Sequence, residues 1–322
     1  MHPLLHIAAK GSRSALLTLG CVVGMAVTAK GQTTFYWDRT SGSGAGTGST
    51  LNGTWDTATQ NWNTNSSGSG SRNTFTSGGN AVFSASTSAT GQTYTITVSG
   101  TQNASSVTIE EGIVTFSGGT AINFNDASPD FTVASGLTTT VSTNITGTNG
   151  LNKLGAGTLI FGSNDKSYSG TTTISAGTLD LAFNQSFDTL ALAGGTLKLS
   201  STSTTITTLN VTANSTIDFG GTDAALNLTN FNISAGVTLN IINWVDAADS
   251  FVTQNWTGAS FDTTGAIPMN QVVFNSPTFS GDNTKWQSYD KQITPVPEPS
   301  AYGALLLGLG GSLVAWRRRT KQ

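Results

Sequence analysis

The sequence predicts an all-β chain coiled as a right-handed parallel β-helix. Three observations carry this expectation. First, short runs with apolar residues at every second position recur along the chain, among them Tyr94–Val98, Ser106–Ile109, Ile113–Phe116, Phe131–Val133, Thr158–Phe161, Thr178–Leu181, Thr196–Leu199 and Thr216–Phe219. Each has the period of a half-buried strand, and most are bounded by Gly, Asn or Ser. Second, Gly-Thr-Leu occurs at 157–159, 177–179 and 195–197, and the apolar position continues as Leu159, Leu179, Leu197, Ile217 and Leu239, spaced by 20, 18, 20 and 22 residues. A near-constant period with strands too short to bury a face alone is the mark of a solenoid, in which each turn covers its neighbour. Third, Gly, Thr, Ser and Asn dominate, proline is absent between Thr132 and Ala266, and no segment keeps a helical period. At about 20 residues per turn, residues 94–244 make roughly seven turns, a stack of about 35 Å. A β-sandwich of the same strands is the alternative. It needs hairpins, yet Asn-Gly occurs only at 52–53 and 149–150.

Taken in order, residues 1–29 have the form of a secretory leader. A basic start (His2, His6, Lys10, Arg13) precedes an apolar run from Ala15 to Val27, and Val27-Thr28-Ala29 offers small residues for cleavage after Ala29. Cys21 lies inside the apolar run, with Thr18 where a lipoprotein signal would want Leu. Once the leader is gone, the body at 32–296 has no Cys and no His. This excludes disulfides, Cys/His metal sites, a Cys nucleophile and a Ser-His-Asp triad. The body carries 7 Lys/Arg against 16 Asp/Glu, a net charge of −9, which argues against nucleic acid as a partner.

Residues 32–93, with Trp37, Trp55 and Trp62 among Gly/Ser runs, are expected to cap the N-terminal edge of the coil. Exposed stacking on sugars is the other use of those rings. Residues 94–244 form the coil, and 245–290, with Trp256 and Val272–Phe274, are expected to cap the far end. The last segment, 296–322, is of another kind. Pro297, Glu298 and Pro299 hold an extended peptide. Ala301–Trp316 is uncharged over 16 residues, roughly 24 Å as a helix and slightly short of a bilayer core, and Arg317, Arg318 and Arg319 follow at once. The positive-inside rule keeps that cluster in the cytoplasm and places the body outside the inner membrane.

Two resemblances follow from these residues. The order Pro297-Glu298-Pro299, apolar helix at 301–316 and Arg317–Arg319 at the C-terminus resembles the PEP-CTERM sorting signal of Gram-negative bacteria. The resemblance implies recognition by an exosortase, a membrane-embedded cysteine transpeptidase, and so export, transient inner-membrane tethering and then release or attachment at the cell surface. Residues 151–180 resemble the autotransporter-associated β-strand repeat, matching it at Lys153, Gly155, Gly157, Thr158, Leu159, Gly162, Asn164, Tyr168, Gly170, Thr172, Ile174, Gly177 and Leu179. That resemblance implies a β-helix. Nothing after Trp244 is long enough or alternating enough for the membrane barrel that follows such repeats in autotransporters.

Paired carboxylates are the one catalytic option left. Glu110 and Glu111 are adjacent, so on a strand they face opposite ways. Asp126 and Asp130 flank a turn at Ser128-Pro129. Asp180, Asp218 and Asp223 lie in or near the coils without forming an aspartate ladder for Ca²⁺. Lys153 and Lys166 belong to the repeat pattern and serve to cap turns. The sequence thus offers no catalytic, cofactor-binding or metal-binding set. The expected function is that of a non-enzymatic cell-surface or extracellular-matrix protein, processed by an exosortase, with exopolysaccharide as a candidate neighbour. A polysaccharide-binding or polysaccharide-cleaving β-helix is the alternative. Three or more charged side chains converging on one concave face would favour it.

Overall fold

The computed structural model describes residues 32–40, 42, 44–46, 48–163, 166–220, 223–275, 280–281 and 284–296. The segment 1–29 expected as a leader, with Ala29, the motif Pro297–Pro299, the apolar segment 301–316 and Arg317–Arg319 lie outside the described residues. No helix among the described residues is long and apolar enough to cross a membrane.

The described residues form a parallel β-solenoid of about eight turns. The turns build an 11-stranded sheet with one strand each and a 13-stranded sheet with one strand each, except that two turns add a second strand to the larger sheet, Ala121–Phe124 before Asp130–Val133 and Ile145–Gly147 before Leu151–Leu154. Within the second sheet the strands Thr93–Val98, Ile113–Ser117, Thr138–Val141, Thr158–Phe161, Thr178–Leu181, Thr196–Leu199, Ser215–Asp218 and Leu239–Ile242 stack in sequence order. One inward column runs Tyr94, Val114, Thr139, Leu159, Leu179, Leu197, Ile217, Ile241 and Phe274. Leu239, which the constant period placed in this column, pairs with Ser215 instead. Ile217 to Ile241 is 24 residues, against 20, 18 and 20 in the three preceding steps from Leu159, and the longer turn shifts the column by two residues. Every column member is buried. A buried Leu or Ile contributes roughly 1.5–3 kcal/mol, so the column is a principal source of stability.

The first sheet is bent, and this bend gives the solenoid a third face. In Gln185–Leu192, Ser203–Val211, Ala225–Ile233 and Ser250–Trp256 the pairing steps over one residue per strand, from Phe187↔Ile206 to Thr189↔Thr208 and from Leu228↔Thr253 to Asn230↔Asn255. The omitted residues Asp188, Thr207, Thr229 and Gln254 are all exposed. Two successive side chains point outward at each of these places, which moves the inward phase by one residue and turns the corner.

Among the described residues, every antiparallel strand pair lies at an end of the stack. Thr34–Trp37 and Gly53–Trp55 pair in parallel with the next turn, and Trp62–Asn63 closes the first sheet antiparallel to Thr34–Trp37. Trp37, Trp55 and Trp62 are fully buried and meet edge to face, with ring centroids 5.1 Å apart for Trp37–Trp62 and 5.5 Å for Trp55–Trp62. Rings so enclosed are unavailable for stacking on sugars. The far end carries Ser280–Gly281 on the second sheet and the hairpin Thr284–Trp286/Ile293–Pro295. Trp286 Nε1 donates to Thr253 O at 3.1 Å, tying that hairpin to the last strand of the first sheet.

One edge, Gly53–Trp55, has no covering strand among the described residues; side chains satisfy it. Arg39 Nε donates to Asn52 O (3.0 Å), Asn61 Nδ2 donates to Thr54 O (2.8 Å), and Arg39 Nη1 donates to Asn61 Oδ1. An open ladder edge is a template for another chain. Replacing both residues (Arg39→Ala with Asn61→Ala) is therefore expected to produce concentration-dependent oligomers by size exclusion with light scattering. A folded, strictly monomeric double variant would show that the side chains do not guard this edge.

Candidate functional site

The repeat at 151–181 is built around a lysine inside the core. Lys153 stands in an inward column between Phe131 and Ile174, and its residue exposure is 0 %. An isolated ammonium there would be prohibitively costly to desolvate. Its Nζ donates to Leu154 O (2.8 Å), Gly155 O (2.8 Å) and Ala176 O (3.1 Å), so all three N–H donors are satisfied by backbone. Ala176 lies one turn further on, so the side chain clasps two turns at their corner. Burial pushes its pKa down to about 8, which leaves it mostly charged at neutral pH. The glycines of the repeat make the clasp possible. A Cβ on Gly155 would meet Val133 O at 2.2 Å, and one on Gly177 would meet Gly157 O at 2.3 Å. Lys166, the other lysine of the pattern, donates to Thr143 O (2.8 Å) and Ser163 Oγ (3.0 Å). The turn-capping expected of these lysines is what the geometry shows, with Lys153 doing so from within.

The acidic residues singled out in the sequence are dispersed. Glu110 and Glu111 follow the strand that ends at Ile109 rather than lying on it, and Glu111 Oε2 accepts from Ala89 N at 3.2 Å. Asp126 closes its turn by accepting from Ser128 N (3.1 Å) and Gln32 Nε2 (2.8 Å), bonds that lower its pKa. Asp249 accepts from Ala224 N and Val245 N, although burial pushes its carboxyl up. Among the described residues no group of three or more His, Cys, Asp or Glu is placed to hold a metal ion.

A charged column does exist, and it alternates in sign. Asp180, Lys198 and Asp218 occupy equivalent outward positions on three successive turns of the second sheet. Lys198 Nζ lies 2.9 Å from Asp180 Oδ2, and Asp218 accepts from Asn243 Nδ2 (2.7 Å) and Gly220 N (2.8 Å). The sequence signal was the third position of Thr-Leu-Asp-Leu, Thr-Leu-Lys-Leu and Thr-Ile-Asp-Phe. Elsewhere, outward side chains on successive turns bond to one another through amides and a carboxylate. Asn123 Nδ2 donates to Asn103 Oδ1 (2.8 Å), Asn152 Nδ2 to Asp130 Oδ1 (3.0 Å), and Asn232 Nδ2 to Asn210 Oδ1 (2.9 Å).

A hollow of about 230 Å³ opens where the third face is interrupted. Residues 166–169 hydrogen-bond back to the preceding turn, Ser167 N to Ile145 O (2.9 Å) and Ser169 N to Gly147 O (3.0 Å). On the other side the segment makes no strand pairing with Gln185–Leu192 among the described residues, and that strand begins its own ladder with the turn beyond. The gap is lined chiefly by Lys166, Tyr168, Ser186, Asp188, Thr205 and Thr207. Tyr168 Oη and Thr172 Oγ1 are 2.7 Å apart, which fixes the ring.

The parallel ladders and the buried clasp together define a repeat-built β-solenoid. Comparison with known families gives two matches within it and beside it. Residues 151–181 match the passenger-associated-transport-repeat, the segment that contains the Lys153 clasp. Residues 295–319 match the PEP-CTERM protein-sorting motif, which implies recognition by an exosortase and an exported protein. No curated protein and no solved structure matches the chain.

Proposed function

We propose that the chain is an exported, non-enzymatic β-solenoid, recognised by an exosortase-type enzyme at Pro297, Glu298 and Pro299, cut there, and placed at the surface or in the extracellular matrix of an exopolysaccharide-producing cell. The observation that carries the reading is the match of 295–319 to the sorting motif directly after the last described strand, Ile293–Pro295. The non-enzymatic part is supported by the dispersion of the carboxylates and by the pairing of Asp180 with Lys198 and of Asp262 with Lys285. The antiparallel pairs that close the stack suit a body that must persist outside the cell without aggregating.

Intact mass and cell fractionation test the reading. The native protein is expected to begin near Lys30 or Gln32, to end near Pro295–Pro299, and to lie outside the inner membrane. The triple variant Pro297→Ala, Glu298→Ala, Pro299→Ala is expected to keep Arg317–Arg319 and to sediment with the inner membrane. A native chain that keeps the arginines there would make the tail a permanent anchor and remove the matrix role.

A further inference from the structure

We propose that the hollow beside residues 166–170 binds one neutral sugar unit of a polysaccharide that runs along the adjoining corner of the solenoid. The site arises from the fold itself. The segment 166–169 is bonded to the turn before it, residues 185–187 pair only with the turn after them while 189–192 pair on both sides, and the third face is left open between 166–169 and 185–187 among the described residues. The opening is small, about 230 Å³, below the roughly 300 Å³ at which drug-sized ligands begin to fit.

The lining selects the chemistry. Ser186, Thr205 and Thr207 present hydroxyls, each able to donate and accept, and all three residues are exposed. Sugar hydroxyls have that same dual character. Asp188 accepts only and Lys166 donates only, so the rim carries one charge of each sign and offers no net field to an anion or a cation. A single carboxylate facing a lysine is a poor divalent-metal site, and one lysine opposed by an aspartate is a poor phosphate site. Tyr168, half-buried and fixed by Thr172, adds ring surface against which the apolar face of a pyranose can lie, while Phe187 lines the hollow from the core.

The polymer, rather than a free monosaccharide, follows from what lies next to the hollow. Asp188 and Thr207 are corner residues, and the corner continues as Thr229 and Gln254, all exposed. These side chains repeat once per turn, about 4.8 Å apart, and extend the hydrogen-bonding surface along the stack. The inference does not depend on how the tail is processed, because a permanently anchored chain would carry the same hollow.

Saturation-transfer NMR on the full chain, with maltotetraose, cellotetraose and mannotetraose as probes and polygalacturonate as the charged comparison, tests the proposal. Transfer to at least one neutral tetrasaccharide is expected. The double variant Thr205→Val, Thr207→Val and the single variant Asp188→Ala are each expected to bind roughly tenfold more weakly, the effect of losing one or two good hydrogen bonds. All three positions are exposed, so an unchanged urea midpoint certifies the fold of each variant. No transfer to any of the three sugars, undiminished binding in both variants, or preference for polygalacturonate would overturn the proposal.

Discussion

Replacing Lys153 by Met is expected to lower the stability of the solenoid by about 3 kcal/mol, and replacing it by Ala by about 5 kcal/mol. Met keeps most of the volume of the side chain, so its cost isolates the loss of three donors to Leu154, Gly155 and Ala176. Ala adds a cavity between Phe131 and Ile174. Urea denaturation measures both. Hydrogen exchange over Leu151–Leu154 and Thr178–Leu181 is expected to show that the loosening starts at the clasped corner, since each solenoid turn depends chiefly on its neighbours. The competing effect is desolvation. Buried ionic groups replaced by apolar ones of like size sometimes leave stability unchanged or improved. A Met variant as stable as the parent would show that the cost of burying the ammonium cancels its three bonds.

The same residue makes a pH prediction with a definite sign. Its pKa is about 8 in the folded chain against 10.5 for an ordinary lysine. Between those values the unfolded chain binds the proton and the folded one has released it, so stability rises with pH across that window. Below about pH 8 both states are protonated and the contribution is flat at its lower level. The rise should be present in the parent and missing from Lys153→Met when urea midpoints are compared at pH 7.5 and 10.

The fold was legible in the sequence to an uneven degree, and the reason is geometric. Strands of the second sheet such as Thr158–Phe161, Thr178–Leu181 and Thr196–Leu199 are four residues with an unbroken inward phase, and they stand out. The longer strands Gln185–Leu192, Ser203–Val211 and Ala225–Ile233 were not read, because the corners at Asp188, Thr207 and Thr229 each place two outward residues in succession and spoil the alternation. Thr138–Val141 was missed for a different reason: its first inward residue is Thr139, buried with its hydroxyl unpaired, where a reader expects Val or Leu. The clasp was half legible. The repeat pattern marks Lys153, but a lysine at an alternating strand position reads as outward until the carbonyls of the next turn are placed. The hollow was not legible at all, since it arises where the pairing of 166–169 stops, and nothing in the residue types there announces a missing ladder.

Gly177→Ala is expected to be among the most damaging single-methyl changes in the chain, and Gly136→Ala among the mildest of those at a comparable backbone angle. The two glycines have φ of +63° and +76°, so both substitutions carry the roughly 1–2 kcal/mol penalty of a left-handed L-residue. They differ in what the new methyl meets. At Gly136 nothing lies within 4 Å. At Gly177 it would lie 2.3 Å from Gly157 O and 2.5 Å from Gly155 O, backbone atoms of the preceding turn that cannot move without opening the stack. Gly155 O is also an acceptor of the Lys153 clasp, so pushing it aside disturbs a second interaction. The expected costs are about 1–2 kcal/mol at Gly136 and, with overpacking of typically 1–3 kcal/mol added, about 2–5 kcal/mol at Gly177. Paired urea titrations decide it. Equal losses at the two sites would mean that backbone angle alone governs these turns and that neighbouring coils separate readily. A much larger loss at Gly177, with exchange protection falling from Leu151 to Leu181, would establish that the repeat works by close approach, with glycine admitting the next turn and lysine binding it in place.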